Sequence, residues 1–539
     1  MQLTRWLQPR RDAPLPMWMI FSVIFAALYA SHVTLLTLPY YWDEAGYYIP
    51  AAWDFFRTGS LIPISTLSNA HPPLPSIYLA LWWKASGYLP EVTREAVLLI
   101  ATLGLAGVWR LALRLTGRVS IAFWTVVLTG VYPVWFAQST LAHADIFAAA
   151  FTLWGLVYAL PEKNRKPWAA AIWFTLAVLS KETALAIPAT LAAMSGWAAV
   201  RGEQDERATR WKETAWLMLP VIPLAGWYAW HYTKTGFLLG NAGFLRYNAE
   251  ATLNAKRIVA ALFYRILHLT AHMNMFVPVS MALAALLLPV RDDGRGVERK
   301  GVGGEPYRKI LVLLAMNAVL FSVLGGALLT RYLLPMYPLV LLMVVSAFYR
   351  RVPYWGGIAL LSAGAFVLGL FVNPPYRFAP EDNLEYARVV RLHQAAIAQL
   401  QKRYPDSTVL TAWPVSDELT KPELGYVREP FKVVPLEDFT LAQVVRAAQE
   451  PEKYSTALVF STKYDPPRLP YLLGHTGESV AETYFDLHHD LPARVIAKRL
   501  DGTLVWYGES KGMWAGLIRF DRQIEAQWMP FDPLSTSRR

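Results

Sequence analysis

Long apolar runs alternate with short polar loops along the first two thirds of the chain. The first, "PMWMIFSVIFAALYASHVTLLTL", is long enough to cross the ~30 Å hydrocarbon layer of a bilayer as a helix. Others lie near 94–115, 119–137, 143–160, 167–180, 183–200, 214–231, 268–290, 308–329, 332–349 and 354–372, so the pattern predicts about eleven membrane-spanning helices. The first run follows Arg5, Arg10 and Arg11 but exceeds a signal-peptide core and lacks a clean small-residue cleavage site. It is therefore expected to remain as a span. From about Asn373 the apolar runs stop. "PEDNLEYARVVRLHQAAIAQLQKRY" has acidic residues at its start and apolar residues at helical spacing, which predicts an amphipathic helix. "STVLTAW" and "TALVFSTK" read as short buried strands, and "ARVIAKRLDGTLVWYGE" as a hairpin turning at Asp501-Gly502. The expected division is a membrane domain over 1–372, with a first outer loop at about 39–93, and a soluble α/β domain over 373–539.

Charge gives the orientation. The loops "RLALRLTGR", "PEKNRKPW", "RGEQDERATRWKE", "RDDGRGVERKGVGGEPYRK" and "YRRVP" hold the basic residues and are expected to face the cytoplasm, with the N-terminus. An odd number of spans then places the C-terminal domain outside. The 539 residues are 55% hydrophobic and 17% charged, which speaks against one ordinary soluble domain. A net charge of +11 is explained by positive loops between spans and requires no nucleic acid. Cysteine is absent, which excludes thiol catalysis, disulfides and thiolate metal sites.

Several unusual residues fall on the expected outer side. "YYWDEAGYYIP" sets Asp43 and Glu44 among aromatic rings directly after the first span; carboxylates and Tyr or Trp also gather wherever a helix meets the headgroup level. His71 precedes two prolines and has a plain reading as part of a rigid loop. Asp145 opens a span, where a carboxylate complements the helix dipole, and His143 beside it has an ordinary interfacial reading. Lys181 closes a span, favoured there by the dipole, with Glu182 as a neighbour. Arg331, in "GALLTRYLLPMYPLVLL", stands near the start of a span, where the dipole disfavours a cation. A bound anion or snorkelling to lipid phosphate would account for it.

An outer site with carboxylates at its mouth and cations around it suits binding of a phosphorylated molecule and deprotonation of another. The chain has neither a Walker A loop nor a strand-linked GxGxxG, so a lipid-borne donor is the better expectation. In "WDEAGYYIPAAWDFFRTG", "HPPLPSIYLALWWKASG", "LAHADIF", "SKETALAIP" and "RYLLPMYP", in that order, the sequence resembles the polytopic GT-C glycosyltransferases. Bacterial relatives of protein O-mannosyltransferases and of the lipid A aminoarabinose transferase are the particular likeness. The resemblance implies a GT-C-like helical fold in a bacterial inner membrane, with the C-terminal domain periplasmic. It also implies a polyprenyl-phosphate sugar donor and Asp43 as the base that takes a proton from a lipid, glycan or protein acceptor hydroxyl, with inversion.

Lys181 and Arg331 are then the candidates for the donor phosphate, Glu44 and Asp145 the supporting acidic residues, and His71, His143, Tyr47 and Tyr332 the candidates for substrate contact. No cofactor is required, although His71, His143 and His272 leave room for a divalent ion. The sequence departs from the aminoarabinose transferases where Ala70 and His71 stand before Pro72 in place of an acidic residue and a lysine, so substrate identity does not carry over. In the outer domain, "AWPVSDELTKPELGYV", with Trp413, Asp417, Glu423 and Tyr426, follows a predicted strand and is a candidate for acceptor selection. The competing function is a lipid or glycan transporter or flippase, which also carries ionisable groups at membrane depth; a non-catalytic anchor for the outer domain would leave the charged outer features unexplained.

Overall fold

The computed structural model describes residues 15–521 except 203, 242, 244–245, 251, 293–295, 465, 467–479 and 486. Contacts divide the chain into two units, Met1–Ala387 with Arg468–Leu487 and Arg388–Pro467 with His488–Arg539.

The first unit is helical, and each apolar run of the sequence carries a helix. In chain order these are α1 (Met17–His32), the loop helices α2 (Ile49–Thr58) and α3 (Leu74–Ser86), α4 (Pro90–Thr116), α5 (Val119–Val131), α6 (Pro133–Gln138), α7 (Ala144–Ala159), α8 (Pro167–Ser180), α9 (Ala186–Arg201), α10 (Gln204–Met218) and α11 (Val221–Thr235). Then follow α12 (Ala255–Thr270), α13 (Phe276–Leu286), α14 (Gly304–Val323), α15 (Tyr337–Arg351) and α16 (Trp355–Phe371). Among the described residues four helical stretches are long and apolar enough to cross a membrane, five if the bent pair α12–α13 counts as one, and α5, α7, α8 and α16 are shorter apolar helices. The chain is a multi-pass membrane protein.

Three of the runs are broken. The run at 119–137 divides at Tyr132-Pro133 between α5 and α6, with Tyr132 extended. The run at 214–231 divides at Leu219-Pro220 between α10 and α11, where a proline removes a donor and crowds the preceding turn. The run at 268–290 bends by 102° between α12 and α13, where Met273 and Asn274 take left-handed φ values of 47° and 65°. Helices α7 and α8 pack so closely that a Cβ on Gly155 would lie 2.4 Å from the Phe174 ring; only glycine fits at that crossing. This pair carries Asp145 and Lys181 at one end.

In the second unit a helix, α17 (Glu385–Arg403), continues from the first, and a five-stranded sheet has the order β2-β1-β3-β5-β4. The strands are β1 (Thr408–Ala412), β2 (Lys432–Leu436), β3 (Thr456–Phe460), β4 (Thr503–Ser510) and β5 (Met513–Arg519). The first three run parallel, and β5 pairs antiparallel with β3 and β4. The α/β expectation holds, but the hairpin reading of 493–509 is corrected. Ala493–Arg499 is a helix, with Ala493, Ile496 and Ala497 buried on one face. Gly502 N–H closes its end on the Ala497 carbonyl at 2.9 Å. The hairpin lies further on, between β4 and β5, at Lys511-Gly512, both with positive φ, the geometry of a type I′ turn.

Candidate active site

The first loop is held by Glu44. Its Oε1 accepts from Arg94 Nη1 and from the Ala142 N–H, each at 2.6 Å, and its Oε2 accepts from Arg94 Nη2 at 3.0 Å and the Tyr41 N–H at 2.9 Å. Arg94 also donates to the carbonyls of Pro39 at 2.8 Å and Thr140 at 2.6 Å. Both side chains are buried, and the pair fastens the start of the first loop to the 139–142 segment. The constraint supports an unfavourable backbone: Trp42 has φ of 46°, which a bulky residue adopts only when its surroundings impose it. Asp43 follows at the head of a π-helical turn, Glu44–Tyr48. Two adjacent carboxylates thus have separate duties, with Glu44 sealed into the frame and Asp43 presented beyond it.

Arg331, in the 3₁₀ turn Thr330–Leu333 before α15, meets three carboxylates. It donates to Asp43 Oδ2 through Nη2 and to both oxygens of Glu381 through Nη1, while its Nε lies 3.4 Å from Asp145 Oδ2. Lys181 Nζ donates to Asp145 Oδ1 at 2.6 Å and stands 4.4 Å from the centre of the Tyr332 ring. Asp43 is 21% exposed, against 3% for Asp145 and 4% for Glu381, so among these three carboxylates it is the one open to a reactant.

The short segment before α17 contributes more than dipole compensation. Asp382 accepts from the Thr330 hydroxyl and lies 3.0 Å from His272 Nε2, and the His272 Nδ1 is 3.1 Å from the Tyr376 hydroxyl. These contacts fix the turn that carries Arg331. Glu381, next to it, is pushed up to about 8 by burial and by Asp43, Asp382 and Asp145, against the opposing pull of Arg331. Arg331 itself is held firmly charged, because three carboxylates outweigh the burial that disfavours its charge. The upward direction for Glu381 comes first from its burial and then from the neighbouring carboxylates, which the one guanidinium they share does not offset. His143 is buried; its Nδ1 bonds Gln138 Oε1 at 2.8 Å and its Nε2 is 4.0 Å from Glu381.

A testable consequence concerns pH. The unfolded value for Glu381 is 4.5 and its folded value is raised, so the associated stability is fully present below about 4.5 and is lost as pH rises towards 8. The melting temperature of Glu381→Gln minus that of the wild type is expected to climb across this window and level off above it. A difference independent of pH would show that Glu381 stays ionised.

The structure brings Asp43, Asp145, Lys181, Arg331 and Tyr332 into one cluster, with His143 at its edge. His71 is linked rather than included: its Nδ1 pairs with Glu182 at 2.8 Å, its ring stacks on Tyr48 at 6.2 Å, and Tyr48 lies 5.7 Å from the His143 ring. Tyr47, Tyr48 and His71 line a cavity of about 40 Å³. Among the described residues no group of three His, Asp or Glu is placed to hold a metal ion.

Sequence reasoning missed Glu381, Asp382, Arg94 and Arg265. The last was detectable. Arg265 stands in the apolar stretch "IVAALFYRILHLT", where an arginine is costly unless it serves a purpose. It is buried, donates to the carbonyls of Phe321 at 3.1 Å and Leu329 at 2.7 Å, and lies 5.6 Å from the Tyr332 ring. Its Nη2 has no hydrogen-bond partner among the described residues.

No family model matches the sequence, and no curated protein matches it. Solved structures do. ArnT from Cupriavidus metallidurans bound to undecaprenyl phosphate superposes with a TM-score of 0.56 at 14% identity, over 94% of this chain and 98% of that one. The chain shares its fold. The apo form of the same ArnT gives 0.54, again at 14% identity, over 93% and 98%. The shared polytopic helical fold with a C-terminal α/β domain is the one that the sequence led us to expect.

Proposed function

We propose that this chain transfers a sugar from a polyprenyl-phosphate donor to an acceptor hydroxyl at the Asp43 cluster, on the outer face of a bacterial inner membrane. The observation that carries the reading is the gathering of charge around Tyr332. Arg331 holds three carboxylates, of which Asp43 is the most exposed. Lys181 and Arg265 lie against the same ring, and the buried Arg265 brings an Nη2 donor that has no hydrogen-bond partner among the described residues. Binding of undecaprenyl phosphate by a protein of the same fold supports the lipid class of the donor.

In this reading Asp43 accepts the acceptor proton as the hydroxyl oxygen bonds to the anomeric carbon. The bond from that carbon to the phosphate oxygen breaks, and the lipid phosphate departs with the electron pair from the opposite face, inverting the centre. Charge growing on the phosphate is stabilised by Lys181 and Arg265, fixed cations in a site of low dielectric. Arg331 contributes indirectly, by holding Asp43 and Asp145 in place. Tyr47, Tyr48 and His71 offer stacking surfaces for sugar and exclude water from the reacting centre.

The test uses purified protein with a panel of polyprenyl-phosphate sugars, measuring sugar released and the linkage formed. Arg265→Met is expected to reduce donor use by about 10²-fold, the scale for loss of one preorganised charge-stabilising donor, with a modest fall in melting temperature from the Phe321 and Leu329 carbonyls it leaves unpaired. Arg265→Lys should recover part of the loss. If the wild type consumes no donor in the panel, the transferase reading fails; if Arg265→Met consumes donor normally, the phosphate lies elsewhere.

A further inference from the structure

A second cavity lies at the far ends of the same helices. It encloses about 290 Å³ between the end of α7, α9, α10 and the start of α14. From Asp145 to Ala159 along α7 is about 21 Å at 1.5 Å per residue, so this cavity is remote from the Asp43 cluster. One wall is apolar, formed by Leu191, Met194 and Leu217.

Most of the remaining lining is charged. Glu305 is paired with Arg165 and, at 2.9 Å, with Lys309. Glu213 lies 3.6 Å from both Arg165 and Arg210 and accepts from the Ser195 hydroxyl at 3.0 Å. Arg308, exposed, is the third cation of the lining, with Arg210 and Lys309; Arg165 pairs with both carboxylates from outside the lining, and Glu206 lies 3.3 Å from Arg210. Three cations thus face two carboxylates around the cavity, an excess of positive charge. Exposed tryptophans mark the depth: Trp168 in the first turn of α8, Trp197 in the last turn of α9 and Trp211 on α10. Exposed tryptophan side chains favour the headgroup level of a bilayer, and basic pockets between spanning helices at that level suit anionic headgroups.

We propose that this cavity binds the phosphate-bearing headgroup of an anionic phospholipid from the adjacent leaflet, at a site separate from the Asp43 cluster. The cations take the phosphodiester oxygens, and the apolar wall takes the first carbons of the glycerol and acyl chains. A free phosphate ion would use the cations and leave that wall unfilled. The inference is independent of the transferase reading, because its measurement is lipid retention.

The experiment delipidates the full-length protein in detergent and adds phosphatidylglycerol or phosphatidylcholine with identical acyl chains. Retained lipid is counted by native mass spectrometry. The wild type is expected to keep phosphatidylglycerol at least ~10-fold better, about 1.4 kcal/mol. Arg210→Gln with Arg308→Gln should abolish the preference, and Met194→Trp should abolish it by filling the space with every charge in place. Arg57→Gln with Lys84→Gln, in the first loop, should leave it intact. Equal loss in that control would mean diffuse attraction to a basic protein and overturn the site. Displacement of the lipid by millimolar inorganic phosphate in the wild type would identify a free-anion site and overturn the lipid assignment. So would a wild-type preference that survives both cavity variants.

Discussion

Asp43→Asn is expected to lower turnover by about 10²-fold or more while donor binding and melting temperature stay near wild type. The amide keeps the shape and an oxygen to accept from Arg331, but it cannot take a proton, and loss of a positioned general base costs on this order. Glu44 supplies no substitute, since both its oxygens are occupied by Arg94 and two backbone amides. Steady-state rates and donor affinity measured on one preparation separate the cases. Turnover close to wild type would remove Asp43 from the chemistry, and parallel loss of binding and stability would make it a structural ligand of Arg331.

Arg331→Ala is expected to act chiefly on folding. Read from the sequence alone, an arginine at the start of a span looks like an anion ligand whose loss should spare the fold. In the structure its anions are the protein's own. Removing it leaves Asp43, Asp145 and Glu381 together without the guanidinium they share, and breaking a buried ion pair by deleting one partner costs about 3–5 kcal/mol. A large fall in melting temperature and in yield of monodisperse protein is the expected result. Arg331→Lys should rescue little, because one ammonium cannot address three carboxylates as a planar guanidinium does. A stable, well-folded Arg331→Ala would return the residue to a role at the lipid or donor.

The helices were legible because burial in lipid writes itself as long uninterrupted apolar runs. The breaks within three of them were less so: Pro133 and Pro220 are visible signals, but the left-handed Met273 and Asn274 are imposed by surroundings. In the second unit, Val495 and Ile496 beside Ala493 and Ala497 fit a strand or a helix over so short a stretch, whereas "SKGM" held an unused turn signal at Gly512. The site was legible where a residue conflicts with its local setting, as Asp43 does among aromatic rings and Arg331 does at a helix start. Glu381 and Asp382 escaped because carboxylates before a helix have a sufficient local explanation in its dipole. Nothing nearby in sequence hints that Arg331 and Thr330, about fifty residues earlier, are the partners of Glu381 and Asp382.

Sharing one guanidinium among Asp43, Asp145 and Glu381 also limits how such a chain can be recombined. The three carboxylates and Arg331 come from four separate stretches, around residues 43, 145, 331 and 381. A chimera that imports a first loop from a homologue brings a new acidic partner to an arginine that already has two. One that imports the 330–333 turn alone leaves every old carboxylate to a stranger. Segment exchange aimed at a new acceptor is safest in the second unit, where no member of this quartet resides.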